Sequence, residues 1–347
     1  MASAPITGGR GAPGAWVEPR ATWQVMLSGQ DITAKFDPRL ITMTLGLWRH
    51  EKADELNIDI HDMDGAVVLP PVGASLAVSL GWAQGTGVTP GLVAMGSFVV
   101  DDLTWEGPPD TLAIKGHSAD FKDGFRTRTT RTWTNQTLGA IVATIAAENG
   151  LTARCHPDLS GTVVDTAEQS NQSDMEFMRN LGRRYDAAAT VKGGALIFAP
   201  IGATTTATGA TLPAITITRS ICKSWKFTRN AREATYQGAE ANWHDQAAAK
   251  RQLHQEGSTP RRRLKRIYPS AAAAQAATSA EHSRLKRAAA AFEVELAYGD
   301  ARIAPGMAAT VSGFKSEIDG TSWLIAHVEH TMGANGFGTT IEFEVAP

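Results

Sequence analysis

The sequence has 347 residues, 43% hydrophobic and 20% charged, the composition of a globular chain long enough for two or three domains. A formal net charge of −2 gives no general attraction for nucleic acid or an anionic membrane, and no run approaches the roughly 18 apolar residues of a membrane span. Two cysteines, Cys155 and Cys222, are too few for a disulfide framework and match no zinc-ligand spacing; with no charged segment ahead of an apolar core at the amino terminus, synthesis in the cytoplasm is expected.

Residues 1–21, rich in Gly, Ala and Pro, carry little periodic signal and read as a flexible arm. From Thr22 the chain alternates. Trp23, Val25 and Leu27 share one parity ahead of the Ser28-Gly29-Gln30-Asp31 turn, and Leu40-Ile41-Thr42-Met43-Thr44-Leu45 is strongly β-prone. Residues 22–118 therefore predict an antiparallel barrel or sandwich of about six strands. Beyond Asp120 the period changes. Leu138, Ile141, Val142, Ile145 and Ala146 line one face of a helix that stops at Asn149-Gly150, and Ser173-Asp174-Met175-Glu176 forms a capping box for a second helix burying Phe177, Met178 and Leu181. Ala189-Thr190-Val191, a Lys192-Gly193-Gly194 turn and Leu196-Ile197-Phe198 read as a hairpin, so residues 119–203 predict an inserted α/β domain. The Thr, Ala and Gly run at 202–211 is its exit linker.

Strand texture returns at Ile215-Thr216-Ile217, Trp225-Lys226-Phe227 and Ala234-Thr235-Tyr236, opening a second β module over 204–347. A polar and basic stretch follows Trp243 and includes Arg261-Arg262-Arg263-Leu264-Lys265-Arg266; Pro269-Ser270 then opens an Ala-rich helix through Ala291. The excursion at 245–291 splits this module. The basic run reads as a solvated loop or an intersubunit salt-bridge strip, with contact to an acidic partner or passing nucleic acid as the other reading.

The two β modules look duplicated. Pro71-Val72-Gly73 and Pro305-Gly306 each lead into a short alternating run, ending on Gly81-Trp82 and Gly313-Phe314. Ser97-Phe98-Val99-Val100 matches Ser322-Trp323-Leu324-Ile325, Leu103 matches Val328, and Leu112-Ala113-Ile114 matches Ile341-Glu342-Phe343. Upstream, Leu56 to Ile60 corresponds to Phe292 to Leu296, and Val99 and Leu324 are expected core positions. The fold class is α+β and mainly β.

Motifs for chemistry are poor. Asp62-x-Asp64-Gly65 resembles part of a calcium loop but has Ile60 at the first ligand position and Pro71 at the last, so it reads as a hairpin turn. Gly116-His117-Ser118-Ala119-Asp120 lacks the second Gly of a nucleophile elbow, and the adjacent Cys155-His156 cannot easily face one metal. Asp101-Asp102, on a strand, point to opposite faces and make a poor acid/base pair. No catalytic, cofactor-binding or metal-ligating residue is assigned, and no cofactor is expected.

LITMTL with ADELNIDIHDMDG, the GSFVVDDLTWEGPPDTLAIKGHSADF block, WTNQTLGAIVATIAAENGL and QSNQSDMEFMRNLGRRYDAAATVKGGALIFAP resemble the late control D tail-hub family of contractile-tailed phages over residues 22–347, most specifically at 96–121 and 133–200. The resemblance extends to the hub portion of type six secretion spike proteins. It implies a non-enzymatic homotrimer whose chains each supply two tube-like β-barrels, joining a hexameric tail tube protein to a trimeric central spike protein in the baseplate of a virion or tailocin. Tape-measure and baseplate wedge proteins are further implied neighbours; membrane or specific nucleic-acid binding is not. Two other readings remain open on the residues: a cell-wall-binding adhesion module, since the 133–151 helix resembles the helical part of peptidoglycan-binding repeats, and a tail-associated peptidoglycan hydrolase.

Overall fold

The structure, a computed structural model, describes residues 16–49, 52–118, 127–192, 194–203, 205–207, 209–211, 213–229, 235–245 and 247–346. The amino-terminal alternation forms β1 (Arg20–Leu27), β2 (Gln30–Asp31), β3 (Leu40–Trp48), β4 (Glu55–His61), β5 (Ser75–Gln84), β6 (Gly91–Glu106) and β7 (Thr111–Ser118). The middle of the chain forms β8 (Arg128–Thr137), α1 (Leu138–Glu148), β9 (Thr152–Cys155), β10 (Val163–Ser173), α2 (Asp174–Tyr185), β11 (Ala187–Lys192) and β12 (Ala195–Pro200). Then come β13 (Ala214–Thr218), β14 (Cys222–Arg229), β15 (Gly238–Asp245), β16 (Lys250–Gly257), β17 (Arg261–Tyr268) and α3 (Ala271–Ala288). The last strands are β18 (Ala290–Leu296), β19 (Ala308–Ser312), β20 (Trp323–Gly333) and β21 (Gly336–Val345).

Both β modules belong to one mainly antiparallel sheet, ordered β14-β18-β21-β20-β3-β4-β7-β6-β5-β1-β2, with β19 beside β20 and β13 beside β19. Within it the first module reads β3-β4-β7-β6-β5-β1 and the second β14-β18-β21-β20-β19-β13. The order is the same, strand for strand in sequence, and the irregularities coincide too. Ladder β3–β4 slips between Leu40 and Thr42, and ladder β14–β18 slips between Cys222 and Ser224. Ladder β6–β7 slips between Val100 and Asp102, and ladder β20–β21 between Ile325 and His327. An unpaired extra residue bends its strand and raises the local twist, so each module turns at the same two places.

The entry to each module is also repeated. Gly73 and Gly306 have φ of 88° and 89°, a conformation that favours glycine. The Gly73 N–H donates to the Val100 carbonyl at 2.7 Å and the Val100 N–H to the Ala74 carbonyl at 2.9 Å; Gly306 to Ile325 at 2.8 Å and Ile325 to Met307 at 3.0 Å repeat the pair. A 3-10 turn precedes β3 at Asp37–Arg39 and β14 at Arg219–Ile221. The sixth strand departs from the pattern: β1 runs antiparallel to β5, whereas β13 runs parallel to β19.

The structure corrects two sequence matches and one expected core position. Ile114 faces Ile58 and Leu103, while Ile341 faces Val294 and Val328, so Ile114 corresponds to Ile341 and the match of Ile114 to Phe343 is two residues out. Gly81 lies inside β5 but Gly313 lies past the end of β19, so these two are not equivalent. Val99 is only half-buried because Phe98 and Val100 take the core-facing parity; Leu324 is buried.

The modules share a single apolar core in which Met43, Ile58, Val78, Phe98 and Ile114 of the first are continuous with Phe292, Val294, Trp323, Ile341 and Phe343 of the second. The middle of the chain has a separate core, built from Leu138, Ile141, Val142 and Ile145 of α1, Phe177, Met178 and Leu181 of α2, and Leu196 and Phe198 of β12. The Ser173 hydroxyl accepts from the Glu176 N–H at 3.2 Å, as the capping box requires. Gly150, with φ 65°, ends the turn after α1.

Several boundaries differ from expectation. The Ala-rich helix ends at Ala288, and Ala290 and Ala291 already pair with Arg229 and Thr228. The basic run is a strand, β17, in a separate sheet ordered β16-β15-β17. That sheet begins at Gly238; Ala234 of the strand-like 234–236 stretch lies outside the described residues, as do residues 1–15 of the expected arm and residues 119–126.

Candidate functional site

The polar motifs singled out from the sequence serve local structure. Arg39 donates to both carboxylate oxygens of Asp64 at 2.6 Å, and the Asp62 carboxylate accepts from the Val67 N–H at 3.0 Å, which holds the 62–67 turn closed. Asp101 lies 2.8 Å from His117 Nδ1, whereas Asp102 faces Lys115 at 4.0 Å, so the two carboxylates address different partners. His156 is buried and its Nε2 meets Thr205 Oγ1 at 2.9 Å. Burial pushes the thiols of Cys155 and Cys222 up to about 11, which keeps them protonated and poorly nucleophilic at neutral pH. Among the described residues, no group of three or more His, Cys, Asp or Glu side chains is placed to hold a metal ion.

The basic run is matched within the chain. Arg262 approaches Glu281 of α3 at 3.2 Å, Arg263 donates to Glu240 of β15 at 2.8 Å, and Arg261 donates to the Gly257 carbonyl at 2.8 Å. A cleft of about 1630 Å³ lies between α2, α3 and the outer face of β14 and β18, lined in part by Arg184, Arg266, Arg284, Glu281 and Glu342. Beside it Arg287, almost fully buried, forks onto the Asp186 carboxylate and lies 3.3 Å from Glu344 of β21. Arg49 reaches the same Glu344 at 2.6 Å. This cluster ties α3, the end of α2 and both modules together.

The largest feature of the surface is what happens to strand edges. β20 bends at Ala326. Its first half pairs with β19, and its second half crosses to the other module, pairing with β3 from His327↔Trp48 to Gly333↔Thr42. Trp48 stacks on His327 with ring centroids 3.7 Å apart, and a Cβ on Gly333 would lie 2.8 Å from the Ile41 carbonyl oxygen, so only glycine allows this approach. His330, opposite Leu45, is fully buried with Nδ1 2.9 Å from Thr339 Oγ1; burial lowers its pKa to about 4 and keeps it neutral. Trp82 of the first module donates to the Gly299 carbonyl of the second at 2.8 Å, beside Phe337.

Among the described residues, β14, equivalent to β3, pairs only with β18, and residues 102–106 of β6, equivalent to the second half of β20, pair only with β7. Their apolar residues are exposed where the joint buries them. Trp225 is 42% exposed against 1% for its equivalent Met43, and Trp105 is 57% exposed against 0% for its equivalent His330. An open strand edge is a template on which another chain can pair, and large exposed aromatics are the usual company of such contacts. Sequence reading placed Trp225 in a strand and Trp105 in the matched block but had no means of seeing which edge each strand occupied.

The chain matches the family model described as phage tail baseplate hub (GPD) over residues 60–336. It is 34% identical over 365 residues to a probable baseplate hub protein of Escherichia phage 186, covering 93% of this chain and 92% of that protein. Among solved structures it resembles the 43 kDa tail protein of prophage MuSo2 from Shewanella oneidensis, with a TM-score of 0.69 and 12% identity over 93% of this chain and 98% of the other. It also resembles the E. coli c3393 protein, described as a component of the type VI secretion system with structural similarity to T4 bacteriophage tail proteins gp27 and gp5, at a TM-score of 0.53 and 10% identity over 93% of this chain and 76% of the other. At these identities the two structures speak to the fold alone.

Proposed function

Because this chain belongs to the phage tail baseplate hub family, we propose that it acts there as a structural adapter, a homotrimer that joins a sixfold tail tube to a threefold central spike. The observation that carries this reading is the duplication, down to two coincident bulges and one repeated glycine entry. Three chains with two like modules each present six like units in a ring, so one face suits a hexamer while the chain itself repeats only three times. In this reading each module curls into a barrel, and the middle domain (residues 119–203) and the excursion at 245–291 stand outside the ring, where they contact baseplate wedge or tape-measure proteins. The chain is made in the bacterial host and ends in the tail of a virion or tailocin. The relatives are named for a structural part of the tail, and the role proposed here needs no enzymatic step.

Binding to tube and spike tests the reading. The purified chain, mixed with the tail tube and spike proteins of the same particle, is expected to co-sediment with both and to bridge them in one complex. Failure to bind either protein contradicts the adapter role.

A further inference from the structure

We propose that the cleft between α2 and α3 receives an acidic peptide segment of another tail protein, whose carboxylates are held by Arg183, Arg184, Arg266 and Arg284. The inference rests on the hub reading above for the source of that segment and adds the surface and the chemistry by which it docks. The four arginines come from three elements, α2, β17 and α3, and line one cleft. Arg266 lies over the Tyr268 ring at 5.9 Å, and Arg184 is near enough to the same phenol to act on it electrostatically. Arg284 shares the buried Glu281 carboxylate with Arg262. Arg183, Arg184 and Arg266 form no ion pair among the described residues: Arg183 reaches the Asn180 side chain at 3.3 Å, and Arg184 only the Thr166 carbonyl at 3.5 Å. Positive charge is therefore in excess at this end of the cleft.

The middle domain shows that the fold does not demand these arginines. Its β8-α1-β9 and β10-α2-β11 units repeat at a constant spacing. Asn135 and Asn171 have φ of 49° and 48°, the Thr137 and Ser173 hydroxyls cap their helices at 3.2 Å, and Gly150 and Asp186 follow those helices with φ of 65° and 51°. Ile141, Val142 and Ile145 of α1 match Phe177, Met178 and Leu181 of α2 in the core. On the same spacing Arg179, Arg183 and Arg184 stand where α1 has Ala143, Ala147 and Glu148. A cation in the last turn complements the helix dipole, yet α1 forms with Glu148 at that place. Only the unit that lines the cleft carries the arginines. The cleft volume of about 1630 Å³ exceeds the roughly 300–1,000 Å³ of small-molecule pockets, which suits a chain segment. Glu168, Glu293 and Glu342 also line it and would repel a strand with a phosphate at every nucleotide, whereas a peptide can space its carboxylates to meet the arginines alone.

Fluorescence anisotropy with the full-length chain tests the cleft, using a fluorescein-labelled peptide of alternating Glu and Ala beside a Lys and Ala peptide and an oligothymidylate of the same length. The acidic peptide should bind at low salt and release as salt rises, and the basic peptide should not bind. Arg183→Glu combined with Arg266→Glu, both at exposed positions where the fold should tolerate them, should weaken binding about tenfold. Arg154→Glu combined with Lys250→Glu, the same change in net charge at exposed positions outside the cleft, should leave binding nearly unchanged. As a second measurement that needs no variant, a benzophenone-bearing form of the acidic peptide should crosslink to α2, β17 or α3. No binding of the acidic peptide, crosslinks confined to other elements, equal weakening by both variant pairs, or tighter binding of the oligothymidylate overturns the inference, and none of these results bears on co-sedimentation with tube and spike. A chain that binds the acidic peptide in the cleft but neither tube nor spike overturns the hub reading, and with it the tail protein as source, while the peptide cleft stands.

Discussion

His330 is a buried imidazole in the seam between the modules, and its chemistry makes the seam sensitive to acid. Its folded pKa of about 4 lies below the ordinary value of 6.5, because burial opposes the charged form. The unfolded chain therefore binds a proton between these values that the folded chain refuses. Stability from this group is fully present above pH 6.5, falls as the pH drops towards 4, and stays level below that, a change of about 3 kcal/mol. Urea unfolding across this range should show the loss, and His330→Asn should flatten that part of the profile. Arg287 makes a second prediction at this scale. With its guanidinium buried between Asp186 and Glu344, Arg287→Ala leaves both carboxylates without it and should cost about 3 kcal/mol in chemical denaturation, which Arg287→Lys recovers only in part. A loss within about 0.5 kcal/mol, the usual scale of a surface change, would show that the cluster is not structural. Single residues were legible in the sequence where periodicity was clean, as for Leu138 to Ala146. In Phe98-Val99-Val100 three apolar residues follow one another, and alternation alone cannot say which two face inward.

At the scale of elements, the duplicated modules were readable because the pattern of strand, glycine turn and strand survives divergence. The last strand was matched two residues out for a definite reason. A slip of two preserves the inward and outward parity of every side chain, so it leaves the alternation intact. Bulges were not legible, since an extra residue in a strand looks like any other residue until its partner is known. The basic run read as a loop because its five charges mask its strand signal in one dimension; paired with Glu240 and Glu281 it is an ordinary strand. The separate core of the middle domain leads to a test: residues 127–203 expressed alone should melt in a single cooperative transition, since α1, α2, β11 and β12 bury their apolar faces on one another. A fragment with no transition would mean that this core depends on the flanking modules.

On the scale of the whole molecule, the central feature is one sheet running through both modules by way of the β3–β20 joint. Nothing in the local sequence announces that joint. Its partners are nearly 300 residues apart in the chain, from Trp48 to His327, and pattern reading is blind to such pairings. The joint also explains why the remaining edges matter, because it shows within one chain how like modules meet. The most direct test is the mass and rotational symmetry of the purified full-length chain, by light scattering and electron-microscopy class averages. The account predicts three copies in a threefold ring with six similar lobes; a twofold particle, or a ring whose lobes number other than six, would contradict it.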